Sequence, residues 1–253
     1  MPIYQDYAHV YDRSGQLRFS MRMLRYLDEL LERFAVPGTR MIDLACGTGT
    51  VAIGMALHGF TVEGIDGSAE MLAEAALKTP AGTAICWSQQ DMRTFSAQPA
   101  HLLTCLYDSL NYILTNDELL AVFRRVRAAL EPHGLFIFDM NTPWVLANHW
   151  DDATLVLDTP DLTTILQSVY DPHQQRAGVT VTCFERQGEL YRKIQENHQE
   201  QAYPLEQISD NLVRCGFQIE ALYECFTFDP ADDSTQRALW VARRRPVDGL
   251  HLL

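Results

Sequence analysis

Apolar residues in the first half of the chain alternate between short continuous runs and stripes at three- and four-residue spacing. Over Ser20 to Phe34, the positions Leu24, Leu27, Leu31 and Phe34 form one stripe, which predicts an amphipathic helix covering one face of a sheet. After the Pro37-Gly38 break, Arg40 to Ala45 is a short apolar run. It ends in Gly47 and Gly49 and passes into the helix-compatible Val51 to Leu57. The unit repeats with Phe60 to Ile65 as a strand, Ala69 to Lys78 as a helix behind Ser68 as N-cap, and Ala84 to Trp87 as a third strand. His101 to Leu106 reads as a fourth strand. Asn116-Asp117-Glu118 then caps a helix whose Leu119, Phe123, Val126 and Leu130 share a face, with Pro132 and Gly134 as its stop. Leu135 to Phe138 is wholly apolar and ends at Asp139, as expected of a fifth strand covered on both sides. Alternation of this kind builds a parallel sheet with helices on both faces.

Beyond Asn141 the period changes. Thr154 to Leu157, Thr163 to Tyr170, Val179 to Glu185 and Leu190 to Glu200 are β-rich runs joined by turns at Thr159-Pro160-Asp161, Asp171-Pro172, Ala177-Gly178 and Gln187-Gly188. Such short connections predict an antiparallel meander. A helix from about Pro204 to Arg214, a stop at Gly216, a strand from Phe217 to Phe226 and a last strand from Ala238 to Arg243 return the chain to mixed order. The expected fold is α/β: a Rossmann-like, seven-stranded, mostly parallel sheet with one late antiparallel strand. Residues 1–141 and 204–245 form the main domain, and residues 142–203 are an antiparallel β insertion acting as a lid. The tail after Pro246 is expected to fray.

Composition narrows the class. The 253 residues are 47% hydrophobic with a net charge of −13, enough apolar material for one large core plus a lid. A polyphosphate would bind against that charge, so no nucleic-acid partner is expected. The six cysteines contain no C-x-x-C pair, and the start of the chain shows no basic-then-apolar signal, so the reading is a cytoplasmic protein. No run approaches the roughly 20 apolar residues that cross a bilayer, and no membrane partner is expected. No histidine, cysteine or carboxylate cluster has metal-ligand spacing, so no metal is expected. The oligomeric state is left as monomer or homodimer.

The main chemical signal is Asp43-Leu-Ala-Cys-Gly-Thr-Gly-Thr50, a strand end running through a glycine loop into a helix N-terminus. Glycines there permit positive φ and a close backbone approach, and the helix start offers unpaired N–H groups to a polar ligand. Asp66 follows the second strand, where a carboxylate can accept the two hydroxyls of a ribose. Gly47-x-Gly49-x-x-Ala52 with Asp66 also satisfies a dinucleotide fingerprint, so these residues leave an NAD(P)-dependent oxidoreductase open.

Further residues carry a resemblance. Asp43 to Gly49, Asp66, Asp91-Met92 after the third strand and Tyr107-Asp-Ser-Leu-Asn-Tyr112 after the fourth resemble the class I S-adenosylmethionine-dependent methyltransferases. Tyr4-Gln-Asp-Tyr-Ala-His-Val-Tyr-Asp12, and the stretch from Asn197-His198 to Tyr203-Pro-Leu-Glu-Gln207, resemble a small-molecule branch that includes sugar N-methyltransferases. The resemblance implies S-adenosylmethionine as cofactor, bound by Tyr11, Asp43, Ala45, Cys46, Gly47, Gly49, Asp66, Met71, Asp91, Met92 and Tyr107. It also implies a small-molecule acceptor methylated by in-line displacement at nitrogen or oxygen. Tyr11, His198 and Asp108 are candidates for handling a proton. Tyr11 reads equally as packing, Met92 as core, and His198 as an ordinary strand residue. A protein that binds the cofactor without catalysis is the remaining alternative.

Overall fold

A computed structural model describes residues 3–246. The predicted tail after Pro246 lies outside the described residues. A short helix α1 (Ala8–Tyr11) and the long α2 (Leu17–Arg33) precede the first sheet unit, β1 (Arg40–Leu44), α3 (Thr50–Leu57), β2 (Thr61–Asp66), α4 (Ala69–Lys78) and β3 (Ile85–Gln89). The chain continues through β4 (Ala100–Cys105), a 3-10 turn at Ser109–Tyr112, α5 (Asn116–Ala128), β5 (Leu130–Asn141) and α6 (Pro143–Asn148). A meander of β6 (Ala153–Asp158), β7 (Leu162–Asp171), β8 (Arg176–Gln187) and β9 (Leu190–Gln201) follows. The closing elements are α7 (Leu205–Arg214), β10 (Phe217–Glu224) and β11 (Arg237–Arg244).

The first sheet has the order β10-β11-β5-β4-β1-β2-β3. Strands β5, β4, β1, β2 and β3 run parallel, while β11 is antiparallel to both of its neighbours. Because β1 is followed by β2 on one side and flanked by β4 on the other, the chain order reverses between them. The crevice at their carboxyl ends is where an open α/β sheet receives a ligand. A large apolar cluster covers each face: Phe123, Phe136, Phe138 and Trp240 on one side, Met23, Leu27, Leu30, Met55 and Val241 on the other. Two-sided burial is why Leu102-Leu103 of β4 and Leu135 to Phe138 of β5 are apolar.

Local chemistry sets most of the ends. Ser68 accepts the Met71 N–H at 3.1 Å and caps α4 as expected. The cap of α5 falls on Thr115, whose hydroxyl accepts the Glu118 N–H and donates to the Glu118 carboxylate. That helix ends at Ala128, so Leu130 belongs to β5 and not to the helix face predicted for it. Leu130 pairs with Ala100, and the Pro132-Gly134 step lies inside the strand, where the register shifts. Proline and glycine are tolerated in strands at such irregularities.

The second sheet, β6-β7-β8-β9, is an all-antiparallel meander. Leu162, Val181, Cys183 and Ile194 pack with Tyr7 and Val10 of the N-terminal segment. Its outward residues include Leu155, Val156, Val169 and Tyr191, all exposed.

Candidate active site

The loop after β1 has the conformation its glycines require. Ala45, Gly47 and Gly49 have φ of 57°, 53° and 75°. A Cβ added at Gly47 would enter open space, whereas one at Gly49 would lie 2.5 Å from the Trp87 ring and 2.8 Å from Ala75. Gly47 therefore borders the space in front of the loop. Gly49 is not part of its lining, and its missing Cβ lets α3 start tightly against β3 and α4.

Asp66, at the end of β2, accepts the N–H of Gly47 at 2.7 Å and of Ser68 at 2.9 Å. Burial raises its carboxyl above the ordinary value, and these N–H groups work against the rise. Asp43 is buried beneath the loop and accepts the Thr104 hydroxyl at 2.7 Å. Burial pushes its carboxyl up to about 7, with the Thr104 bond opposing and the charge of Asp66 adding to the shift.

A cavity of about 750 Å³ opens in front of this edge, within the range of small-molecule and cofactor sites. Tyr11, Asp43, Ala45, Cys46, Gly47, Asp66, Met71, Asp91, Met92 and Tyr107 all line it. Asp91 is exposed and held by Arg93 at 2.5 Å, which keeps its carboxyl below the usual range; Arg93 in turn reaches Glu118 at 2.8 Å. Carboxylates at 43 and 66 suit an ammonium and ribose hydroxyls, and the apolar walls of Met71, Met92, Leu106 and Ile113 suit a base. The lining thus fits an adenosyl-amino-acid ligand.

A second cavity of about 200 Å³ lies under the meander. Tyr4, Tyr11, Tyr107 and Tyr112 line both spaces and form the partition between them. The far wall comprises Asp108, Trp150, His198, Glu200 and Arg237. Tyr107 and Asp108 have consecutive positive φ values of 62° and 52°, and both of their N–H groups donate to Asp139, at 2.7 and 3.2 Å. The carboxylate of Asp108 is engaged by Asn141 at 2.6 Å and Arg237 at 3.0 Å. Burial pushes it up to about 6 while Arg237 holds it down. Glu200, which accepts from Asn141 at 2.9 Å, is raised by burial and then by the charge of Asp108. Arg237 divides its guanidinium between Asp108 and Asp139, so this network leaves acid in excess.

The N-terminal segment straps the two sheets together. Glu196 of β9 accepts the N–H groups of Tyr4, Gln5 and Tyr7 at 2.6, 3.0 and 3.1 Å, and the Ser68 hydroxyl donates to the Tyr4 carbonyl at 2.8 Å. Of the aromatics in the insertion, Trp150 reaches the smaller cavity. Trp144, Tyr170 and Trp150 itself pack against the cluster of Val145 and Leu146, and Tyr191 points to solvent. Glu196, Glu200 and Arg237 are site residues that sequence reasoning missed. The two-residue spacing of Ile194, Glu196, His198 and Glu200 put polar groups on the inward face of β9, a usable signal; Arg237, arriving from the far end of the chain, left none. Among the described residues, no group of three or more His, Cys, Asp or Glu is placed to hold a metal, and no helix is long and apolar enough to span a membrane.

A glycine loop and a ribose-ready acid at the switch point of a mostly parallel sheet define a Rossmann-like nucleotide-binding α/β protein. Residues 41–134 match the family described as a methyltransferase domain. The chain is 31% identical over 245 residues to YqeM of Bacillus subtilis strain 168, which is named as a methyltransferase, covering 96% of this chain and 97% of that protein. Its fold matches that of an S-adenosylmethionine-dependent methyltransferase from Clostridium acetobutylicum ATCC 824 with a TM-score of 0.85 and 25% identity, over 97% and 100% of the two chains. The sugar N-methyltransferase KedS8 from Streptoalloteichus sp. ATCC 53650 shares the fold with a TM-score of 0.75 and 21% identity, over 94% and 93%. The chain belongs to the S-adenosylmethionine-dependent methyltransferases. Its cofactor is S-adenosylmethionine, and the glycine loop no longer leaves an oxidoreductase open.

Proposed function

We propose that the protein methylates a nitrogen or oxygen nucleophile of a small-molecule acceptor bound in the smaller cavity, with the methyl donor in the larger one. The observation that carries this reading is the shared partition of Tyr4, Tyr11, Tyr107 and Tyr112 between the two spaces. When bound, the donor supplies an activated sulfonium methyl and departs as a neutral thioether. Asp66 is assigned to the ribose, Asp43 to the ammonium, Asp91 and Met92 to the base, and Gly47, Ala45, Cys46 and Met71 to the walls. Tyr11, on the strap, closes over the reacting end.

The protein's task in such a transfer is alignment and the exclusion of water, and orientation of this kind contributes up to about 7–11 kcal/mol. Residues 1–141 and 204–245 provide the donor side; residues 142–203 roof the acceptor. Asp108, held by Asn141 and Arg237, shapes the acceptor cavity. A volume near 200 Å³ beneath a sheet admits a metabolite-sized group rather than a nucleic acid. The acidic surface and six free cysteines are consistent with a cytoplasmic protein, monomeric or dimeric.

Titration calorimetry with S-adenosylhomocysteine and with NADH tests the donor side: the first binds and the second does not. A panel of amines and phenols offered with S-adenosylmethionine tests the acceptor side through release of S-adenosylhomocysteine. Binding of NADH alone, or release of product with none of the panel, contradicts the reading.

A further inference from the structure

We propose that His198 is the end of a proton path that starts at the tyrosine partition, so that the acceptor enters with its nucleophile still carrying a proton. This rests on the two-cavity reading above. The Tyr4 and Tyr112 hydroxyls are 2.8 Å apart, and Tyr112 lies 3.3 Å from Nδ1 of His198. On the other side of the ring, Nε2 lies 3.6 Å from the Glu196 carboxylate, outside normal hydrogen-bond reach.

His198 is 4% exposed, and its Nε2 is a buried nitrogen without a hydrogen-bond partner. A buried polar atom left unsatisfied calls for an explanation, and here the ring geometry supplies one. With Nδ1 free to accept from Tyr112, the neutral ring carries its proton on Nε2 and aims it at Glu196. Once Nδ1 also gains a proton, the imidazolium donates to the Tyr112 oxygen and its charge faces the Glu196 carboxylate at 3.6 Å. The contact that looks unsatisfied is a donor waiting for charge.

The acceptor's N–H or O–H bond breaks and its proton bonds to the Tyr112 oxygen, while the original Tyr112 proton passes to Nδ1. The electron pair left on the acceptor forms the new bond to carbon, and the pair of the broken sulfur–carbon bond stays on the departing sulfur. The imidazolium returns its proton to water when the site opens.

A carboxylate acceptor has no proton to give and meets Asp108 and Glu200, whose neighbouring cation Arg237 is already paired. An ammonium or a hydroxyl group suits the same surroundings. The charged and titratable groups around His198 are Glu196 and Glu200 on β9, Tyr4 and Tyr7 on the strap, and Tyr112 and Asp108 after β4; its partner on β8 is Val179. Burial lowers the ring's proton affinity and Glu196 raises it.

Long-range nitrogen–proton spectra of isotope-labelled histidine, with His198→Gln for assignment, decide the matter in the ligand-free protein and in the protein saturated with S-adenosylhomocysteine. The expected spectrum near neutral pH shows the proton on Nε2 and an accepting Nδ1. As the pH falls within the folded range, the second proton arrives at Nδ1. Tyr112→Phe leaves the strap anchored and removes the acceptor signature at Nδ1. Glu196→Gln lowers the ring's midpoint, because the neighbouring carboxylate that favours the protonated ring is gone. A proton resting on Nδ1, a ring that stays neutral at every pH at which the protein is folded, or a Tyr112→Phe spectrum identical to wild type overturns the proposal. Failure to bind S-adenosylhomocysteine instead overturns the two-cavity reading, and the spectra separate the two results.

Discussion

The centre of the seven-stranded sheet is buried on both faces and the four-stranded sheet on one, and the two cavities divide along that line. In β5 every residue from Gly134 to Asn141 is buried, whereas β6 has no buried residue and its Leu155 and Val156 face solvent. The donor edge is held by backbone: three positive-φ residues, a helix start, and a carboxylate fixed by two N–H groups. The smaller cavity is made of side chains from the strap, the loop after β4, the four-stranded sheet and the start of β11. A cofactor common to a family suits the first kind of construction. An acceptor that differs between relatives suits the second, because its walls can change without disturbing the main core.

The largest effect expected from breaking this contrast is in stability. Phe138 lies between Phe136 and Trp240, stacked on the indole at 5.1 Å. Phe138→Ala should cost about 3–5 kcal/mol in denaturant unfolding, and a loss under about 1 kcal/mol would mean that the central sheet is not the rigid half.

Next comes donor affinity. Asp66→Asn should weaken S-adenosylhomocysteine at least tenfold, since each charge-assisted hydrogen bond contributes about 1.5–3 kcal/mol. Trp150→Phe, on the acceptor side, should leave that affinity within about twofold. Equal losses in the two variants would erase the division of labour.

The pH dependence of donor binding is of similar or smaller size. With the Asp43 carboxyl raised to about 7 by burial, the neutral form predominates below that pH and cannot pair with an ammonium. Affinity for S-adenosylhomocysteine should therefore rise about tenfold from pH 6 to pH 8 and then level off. Asp43→Asn should flatten the profile, and a profile unchanged by that substitution would remove Asp43 from the ammonium site.

The smallest effect belongs to the outer face of the four-stranded sheet. Leu155→Ser, at a position 53% exposed, should change stability by no more than about 0.5 kcal/mol. A larger loss would show that this face is covered in solution.

The same contrast explains what was legible in the sequence. Parallel strands buried on both sides and helices buried on one face write strong periodicities, so β1 to β5 and the helices between them were readable, with Ala69–Lys78 and its Ser68 cap in their observed places. Ten of the eleven residues proposed for the cofactor line the larger cavity, because the glycine loop and the strand ends are local features. Gly49 departs because its need for space comes from Trp87, a neighbour on another strand. Leu130 departs because pairing with Ala100 outweighed the helix period. On the acceptor side, His198 and Asp108 were visible one at a time, but the partners that define them were not. Glu196 anchors a strap some 190 positions away in sequence, and Arg237 joins Asp108 across 129. Tertiary encounters over such separations leave no period to read.

The central claim is that the donor's reacting end lies at the tyrosine partition and faces the smaller cavity. A crystal structure with S-adenosylhomocysteine tests it directly. The account predicts the ribose at Asp66 and the sulfur beside Tyr11, with an open path past Tyr4 and Tyr112 to Trp150 and Glu200. A sulfur directed to bulk solvent, with the tyrosines closed between it and the lid, would contradict it.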